Sequence, residues 1–288
     1  MQKVLEILRK IILFIVSFLQ VFALDMINPV VYDINKIDIK EYLVSEKLDG
    51  VRGFWDGKSL YSKNQNKYNT PNEFTKDFPP FAIDGELYFD GDFEEIVGDV
   101  RSGEFKKVSL YVFEVPEQKG GLNDRLEVLK NYLKTHQNTK IKIIPQHHFK
   151  TKQEFFEFFK SVVDKGGEGV VLHKKDTPYD TKKGGNVIKY KNFYDDECKI
   201  VDVVIKDGLL SRYDCLWDNQ NGLKAAKTKS TLKVLQKRQE VIIKVGSGFT
   251  KAHRLNPLKK GDVITFKYYK LSKYGTPIHT VFLRQRND

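Results

Sequence analysis

The sequence predicts an α+β protein of two domains, in which a first domain of mostly antiparallel sheets and a few helices is followed by a small β-barrel. Three observations carry this. The chain has 288 residues, and single hydrophobic cores stop growing at roughly 150 to 250 residues. Short alternating strands with Gly, Asn and Pro punctuation dominate, and isolated helical patterns interrupt them, which does not fit a doubly wound parallel sheet. After about Asp195 the pattern changes to strands with many Gly and Lys. Residues are 40% hydrophobic, 12% aromatic and 30% charged, which excludes collagenous and low-complexity classes and describes an ordered, soluble chain.

In chain order, Lys3, Arg9 and Lys10 precede an apolar stretch from Ile11 to Leu24 that ends in Val21-Phe22-Ala23. A positive start, a short apolar centre and a small residue before a cut form a secretory signal, too short for the roughly 20 residues of a spanning helix. Residues 1–23 are therefore expected to be removed after Ala23, giving an exported, periplasmic protein; a buried first helix or an uncleaved anchor is the plainer alternative. The residue directly after the cut is Leu24 and not cysteine, so a lipoprotein is excluded. Strands are then predicted at Tyr42–Glu46, Ile83–Phe89, Val108–Val115 and Gly169–His173. Asn123 or Asp124 can cap a helix carrying Leu126, Leu129, Tyr132 and Leu133. Thr151 and Glu154 form a capping box before Phe155, Phe158, Phe159, Val162 and Val163, with Gly166 closing that helix. The later strands, Val241–Val245, Val263–Leu271 and His279–Leu283, read as a small barrel of the oligonucleotide-binding kind.

Forty-nine Lys and Arg against 38 Asp and Glu leave a net charge of +11. Removing residues 1–23 lowers it only to +9, so the basic character belongs to the folded part and makes nucleic acid the first partner to test. Cys198 and Cys215 are the two cysteines. They do not make a disulfide framework and could bridge only if they sit on neighbouring strands. His147-His148 reads as solvent-facing alternation after the Ile141–Ile144 strand, with no zinc spacing around it.

The chemistry begins at Ser45-Glu46-Lys47-Leu48-Asp49-Gly50-Val51-Arg52. A lysine ending an apolar strand, with a carboxylate two residues on and a glycine permitting a sharp turn, suits an amine nucleophile whose pKa nearby cations or a metal can lower. The bland reading is a surface lysine next to an Asp-Gly hairpin turn. Further pieces follow in order: Asp84-Gly85-Glu86, the strand end Tyr111-Val112-Phe113-Glu114, Glu168-Gly169-Val170-Val171, and Lys189 with Lys191 on one strand face by period two. Each alone is explained by a solvated strand face. Their joint presence is not. Gly53 to Ser59 imitates a phosphate-binding loop, but its glycine spacing is one residue short and Phe54, Trp55 and Asp56 fill it.

On these residues the sequence resembles the covalent nucleotidyltransferase superfamily, and within it the minimal ATP-dependent DNA ligases of bacteria that carry an export signal. Ser45–Gly57, Asp84–Tyr88, Glu168–Val171 and Ile188–Lys191 are similar to that family's motifs I, III, IV and V. Gly246–Thr250 and Phe282–Arg286 are similar to features of its OB domain. The resemblance implies an ATP-grasp-like adenylation (nucleotidyltransferase) domain over residues 24–195, an OB fold over 196–288, ATP and Mg²⁺ or Mn²⁺ as cofactors, and nicked duplex DNA as partner of a monomer. It implies Lys47 as the nucleophile that accepts AMP. Ser45, Glu46, Asp49, Arg52, Glu86, Phe113, Lys189 and Lys191 would bind nucleotide. Phe113 would stack on the base, Arg52 would touch ribose or the nick phosphate, and Glu168 with Asp49 would hold the metal. Lys63, Arg101, Arg284 and Arg286 would contact DNA.

Three departures stand out, one being Glu114 where many relatives have Asp. Lys63 occupies a position where relatives have Arg, and an ammonium cannot make a guanidinium's bidentate phosphate grip. Leu209 to Lys237, with Trp217 and Lys224, Lys227, Lys229, Lys233 and Lys237, does not match the usual compact hairpin, and reads either as a DNA-facing insertion or as a solvated basic helix. The competing readings are an RNA ligase or capping-type guanylyltransferase with the same lysine chemistry, and a non-catalytic basic protein. The latter has no use for Glu86, Glu168, Lys189 and Lys191.

Overall fold

A computed structural model describes residues 26–31, 33–136, 138–182, 184, 186–218, 240–272 and 274–286. The expected signal at 1–23 and the lysines from Lys224 to Lys237 lie outside the described residues. The chain divides into two compact units, one holding the described residues up to Phe149 together with Val171–Ile188, the other Lys150–Val170 with residues from Lys189 onward.

The first unit contains β1 (Val30–Val31), β2 (Tyr42–Glu46), β3 (Val51–Trp55), β4 (Leu60–Tyr61), α1 (Asn72–Thr75), β5 (Ile83–Tyr88), α2 (Phe93–Arg101), β6 (Ser109–Glu114), α3 (Leu122–Thr135), β7 (Ile141–Ile143) and β8 (His147–His148). Helix α4 (Lys152–Asp164) follows in the second unit, and the chain passes between units within β9 (Gly169–Lys174) and β10 (Val187–Lys191). One sheet has the order β1-β10-β9-β2-β8 and another β4-β3-β5-β6-β7. The β3–β4, β3–β5, β5–β6 and β2–β8 pairings are antiparallel, while β6–β7 is parallel. Leu87, Leu110, Val112 and Ile96 pack with Leu122 and Leu129 of α3 into one core, each such side chain contributing about 1.5–3 kcal/mol through burial.

Helix α3 starts earlier than the expected cap at Asn123 or Asp124. Gly121 is the cap, and Asp124 accepts its backbone N–H at 2.9 Å instead of capping the helix itself. The capping box of α4 forms as read, with Thr151 Oγ1 accepting the Glu154 N–H at 3.2 Å.

The second unit continues with β11 (Tyr194–Lys206), β12 (Leu209–Asp218), β13 (Glu240–Val245), α5 (Lys251–Leu255), β14 (Val263–Tyr268), β15 (Lys270–Leu271), β16 (Pro277–Ile278) and β17 (Val281–Gln285). Its main sheet has the order β13-β12-β11-β14-β17. Among the described residues these ladders do not close into a barrel. The two outer strands meet instead through single hydrogen bonds, Phe282 N–H to Ser247 O at 2.8 Å and Ser247 Oγ to Thr280 O at 2.9 Å. Of the stretch Leu209 to Lys237, residues 209–218 are described and the lysines are not. The described part forms β12, paired to β11 and β13, with Trp217 fully buried beside Tyr268. Alternation explains it, since Tyr213, Cys215 and Trp217 face the core, while a register shift near Leu210 buries that side chain as well. Cys198 and Cys215 are buried on the neighbouring strands β11 and β12 as free thiols, and hydrogen bonding to Cys215 together with burial pushes the Cys198 thiol up.

Candidate active site

Lys47 leaves the end of β2 in one sheet, and four residues later the chain enters β3 in another, so the segment Lys47–Gly50 is a crossover and not a hairpin turn. Gly50 has to be glycine. A Cβ there would collide with the Leu87 carbonyl and the Glu86 side chain on β5. The segment bearing Lys47 and Asp49 is thereby held against the strand bearing Glu86. Lys47 and Asp49 are both half-buried, Ser45 is buried and Glu46 is exposed.

Register decides what shares a face with Glu86. Arg52 pairs with Glu86 and Phe54 with Asp84 across β3 and β5, and Asp84 pairs with Glu114 on β6. Because side chains alternate with period two, Arg52, Asp84 and Glu86 share one face, while Leu87 and Ile83 enter the core. The β6 register shifts between Asp84 and Gly85, which sets Phe113 apart from strict alternation, and the Arg52 guanidinium lies 5.5 Å from its ring centroid.

Two ion pairs are buried at this face. Arg52 Nε donates to Asp84 Oδ1 at 2.9 Å, Nη2 donates to Asp84 Oδ2, and Nη1 donates to the Ile27 carbonyl at 2.5 Å. Burial pushes the Asp84 carboxyl up and Arg52 opposes it; on the partner, burial works against the charge but Asp84 more than offsets that, leaving the guanidinium raised. Arg125 Nε and Nη2 donate to the two Glu114 oxygens, each at 2.7 Å, and Nη1 donates to Gly120 O and Thr177 O at 2.7 and 2.9 Å. Tyr68, raised to about 12 by burial and by Glu86, donates its hydroxyl to Arg52 O at 3.1 Å. His173 is buried alongside and pushed down to about 4 mainly by that burial, with Glu114, Arg125 and Arg52 as its charged neighbours.

In the second unit Glu168 and Lys191 form a close ion pair. Gly169 comes between them and needs no side chain for a physical reason: a Cβ would strike the Tyr190 carbonyl, and its φ is +150°. Lys189 and Lys191 are half-buried on β10, while Tyr190 packs its ring 4.8 Å from Phe159 and 5.7 Å from Phe155 of α4. Arg284 is exposed on β17, and Arg286 pairs with Glu197 at 2.5 Å. Lys63, in the turn after β4, and Arg101, which ends α2, are both exposed in the first unit.

The first unit thus gathers Lys47, Asp49, Arg52, Glu86 and Phe113, and the second gathers Glu168, Lys189 and Lys191. Asp84, Glu114, Arg125 and His173 were not assigned roles from sequence. Two had a legible signal: Asp84 is two residues from Glu86 on one strand, and Arg125 interrupts the apolar stripe of Leu122, Leu126 and Leu129 on α3.

Residues 25–191 match the family described as "ATP dependent DNA ligase domain", and 225–286 match "DNA ligase OB-like domain". A DNA ligase of Haemophilus influenzae is 36% identical over 256 residues, 88% of this chain and 89% of that protein. The chain belongs to the ATP-dependent DNA ligase family. A solved structure from a structure-function analysis of Lig E DNA ligases superposes with a TM-score of 0.76 at 30% identity, covering 91% of this chain and 98% of that one. The Chlorella virus DNA ligase-adenylate has a TM-score of 0.51 at 21% identity, covering 91% of this chain and all of that one, a likeness of fold.

ATP-dependent ligases of this family use a divalent metal. Ions of the Mg²⁺ kind take one or two carboxylates beside the phosphates of the nucleotide, and Asp49 in the first unit and Glu168 in the second are each a hard oxygen donor of that kind. Among the described residues no cluster of three or more His, Cys, Asp or Glu gathers for a metal.

Proposed function

We propose that Lys47 is the nucleophile of an ATP-dependent DNA ligase that seals nicks in duplex DNA. Its neutral amine attacks the α-phosphorus of ATP, a P–N bond forms and pyrophosphate leaves. AMP then passes to the 5′-phosphate of the nick, and the 3′-hydroxyl attacks that phosphorus, forming the phosphodiester and releasing AMP. The observation that supports this most is the Lys47–Gly50 crossover packed against Glu86, since phosphoryl-type transfer depends chiefly on position and electrostatics.

In this reading Phe113 stacks on the adenine, with Ser45 and Glu46 at the base edge. Asp49 and Glu86 meet the ribose, and Arg52, already held by Asp84, is presented towards the sugar or the nick phosphate. Lys189 and Lys191 neutralise charge developing at the α-phosphate. Glu168 and Asp49 would hold Mg²⁺ or Mn²⁺, which when bound orients and neutralises phosphates. Lys63, Arg101, Arg284 and Arg286 grip the DNA backbone. The reading includes a monomer, an adenylation domain over 24–195 with an OB domain over 196–288, and export with cleavage after Ala23, the apolar stretch Ile11–Leu24 being its support.

Incubation with labelled ATP and a nicked duplex tests it. Covalent label on Lys47 and a joined strand are expected, with ATP labelling and GTP not. Lys47→Ala is expected to abolish both label and joining while leaving DNA affinity nearly unchanged, because affinity comes from many dispersed phosphate contacts. Adduct formation by that variant removes the nucleophile assignment.

A further inference from the structure

The Lys191 ammonium has a second neighbour besides Glu168. The ring of Tyr269 lies 5.2 Å from Nζ to its centroid. Glu168 precedes β9, Lys191 ends β10 and Tyr269 lies between β14 and β15, so three distant stretches of chain meet at one charge within the second unit. The ion pair is not a solvated surface pair, for the Lys191 and Glu168 side chains are only 20% and 14% exposed. Tyr269 is itself half-buried, and its backbone N–H points to the Ile278 carbonyl at 3.5 Å.

We infer that Tyr269 is a positioning residue that holds the Lys191 ammonium for adenylyl transfer. This rests on the reading of Lys191 as a cation at the α-phosphate. A lysine carries its charge on a flexible four-carbon stem, and a charge helps a transition state only where it is already placed. Glu168 cannot do this alone. A carboxylate neutralises the ammonium it holds, and in the proposed reaction Glu168 turns to a metal ion. The ring face differs on both counts: it attracts the cation through its quadrupole while leaving the full positive charge for a phosphate, and it binds no metal. Tyr269 therefore keeps Lys191 in place when Glu168 is engaged elsewhere.

Single-turnover transfer of labelled AMP to the full chain tests this in four variants. Tyr269→Leu is expected to slow adenylation about fivefold, within the range of a partly desolvated cation–π contact. Tyr269→Phe, which keeps the ring face, should stay within about twofold of the wild type. Lys191→Ala should be slow, and adding Tyr269→Leu to it should slow it no further, because the ring acts only through that ammonium. A fivefold loss that persists in the Lys191→Ala background marks a merely structural ring and overturns the inference, as does a Tyr269→Leu rate equal to wild type beside a slow Lys191→Ala. A Lys191→Ala variant that adenylates at the wild-type rate instead removes the role of Lys191 itself.

Discussion

Arg52–Asp84 and Arg125–Glu114 in the first unit have carboxylates wholly out of water, whereas Lys260–Asp202 in the second leaves 65% and 52% of the two side chains exposed. The first arrangement costs desolvation and is weak evidence of stability, but its bidentate geometry fixes where the side chains and their strands lie. The second adds little to stability and keeps cations wet. Stability there comes instead from an aromatic core of Trp217, Tyr213, Tyr268 and Phe266, with one buried carboxylate, Asp196, satisfied by the Trp217 Nε1–H at 2.7 Å. The second unit holds a largely enclosed pair as well, Glu168–Lys191, with side chains 14% and 20% exposed. Enclosed pairs fix the geometry of the strands that carry them, while exposed pairs leave it to the apolar core.

Removing one member of a sealed pair should have the largest effect. Asp84→Ala leaves the Arg52 guanidinium buried without its anion and is expected to lower unfolding free energy by about 3–5 kcal/mol, read from urea denaturation. A loss under about 1 kcal/mol would erase the contrast between the units.

Acidification should act on the same interior. The His173 imidazole is depressed from 6.5 to about 4, so the folded state binds fewer protons than the unfolded one between these values. Its contribution is fully present above pH 6.5 and is lost as pH falls through 4, about 3 kcal/mol in all. Compared by denaturation midpoints from pH 7 to 4, His173→Phe should show a shallower fall than the wild type. Equal slopes would mean that groups other than His173 carry the acid sensitivity.

On the second unit, Arg284→Ala should weaken DNA binding equally for all sequences and reduce the salt slope by about 1, measured by titration at several salt concentrations. A sequence-dependent loss would point to base contact. The smallest effect is expected from Asp202→Ala, which should leave the melting temperature within experimental scatter despite its ion pair with Lys260.

Strands such as Tyr42–Glu46 and the Thr151–Glu154 capping box were legible because alternation and capping act over a few residues. The motif residues Lys47, Glu86, Glu168 and Lys191 were legible as a set, through resemblance. The start of α3 at Gly121 was not, since Asp124 satisfies the cap from inside the helix. Nor was the strand at 209–218, because its alternation of Tyr213, Cys215 and Trp217 runs straight on into a lysine-rich stretch of a different pattern.

By itself the sequence determined the element types, the basic surface and the identity of the chemical groups, because these follow from local periodicity and composition. Only the tertiary structure decided that Lys47 lies on a crossover between sheets, that Arg52 is committed to Asp84, and that Tyr269 meets Lys191. Such pairings join residues tens of positions apart. Strand register and close backbone approach select them, and neither is written in the spacing of any one segment.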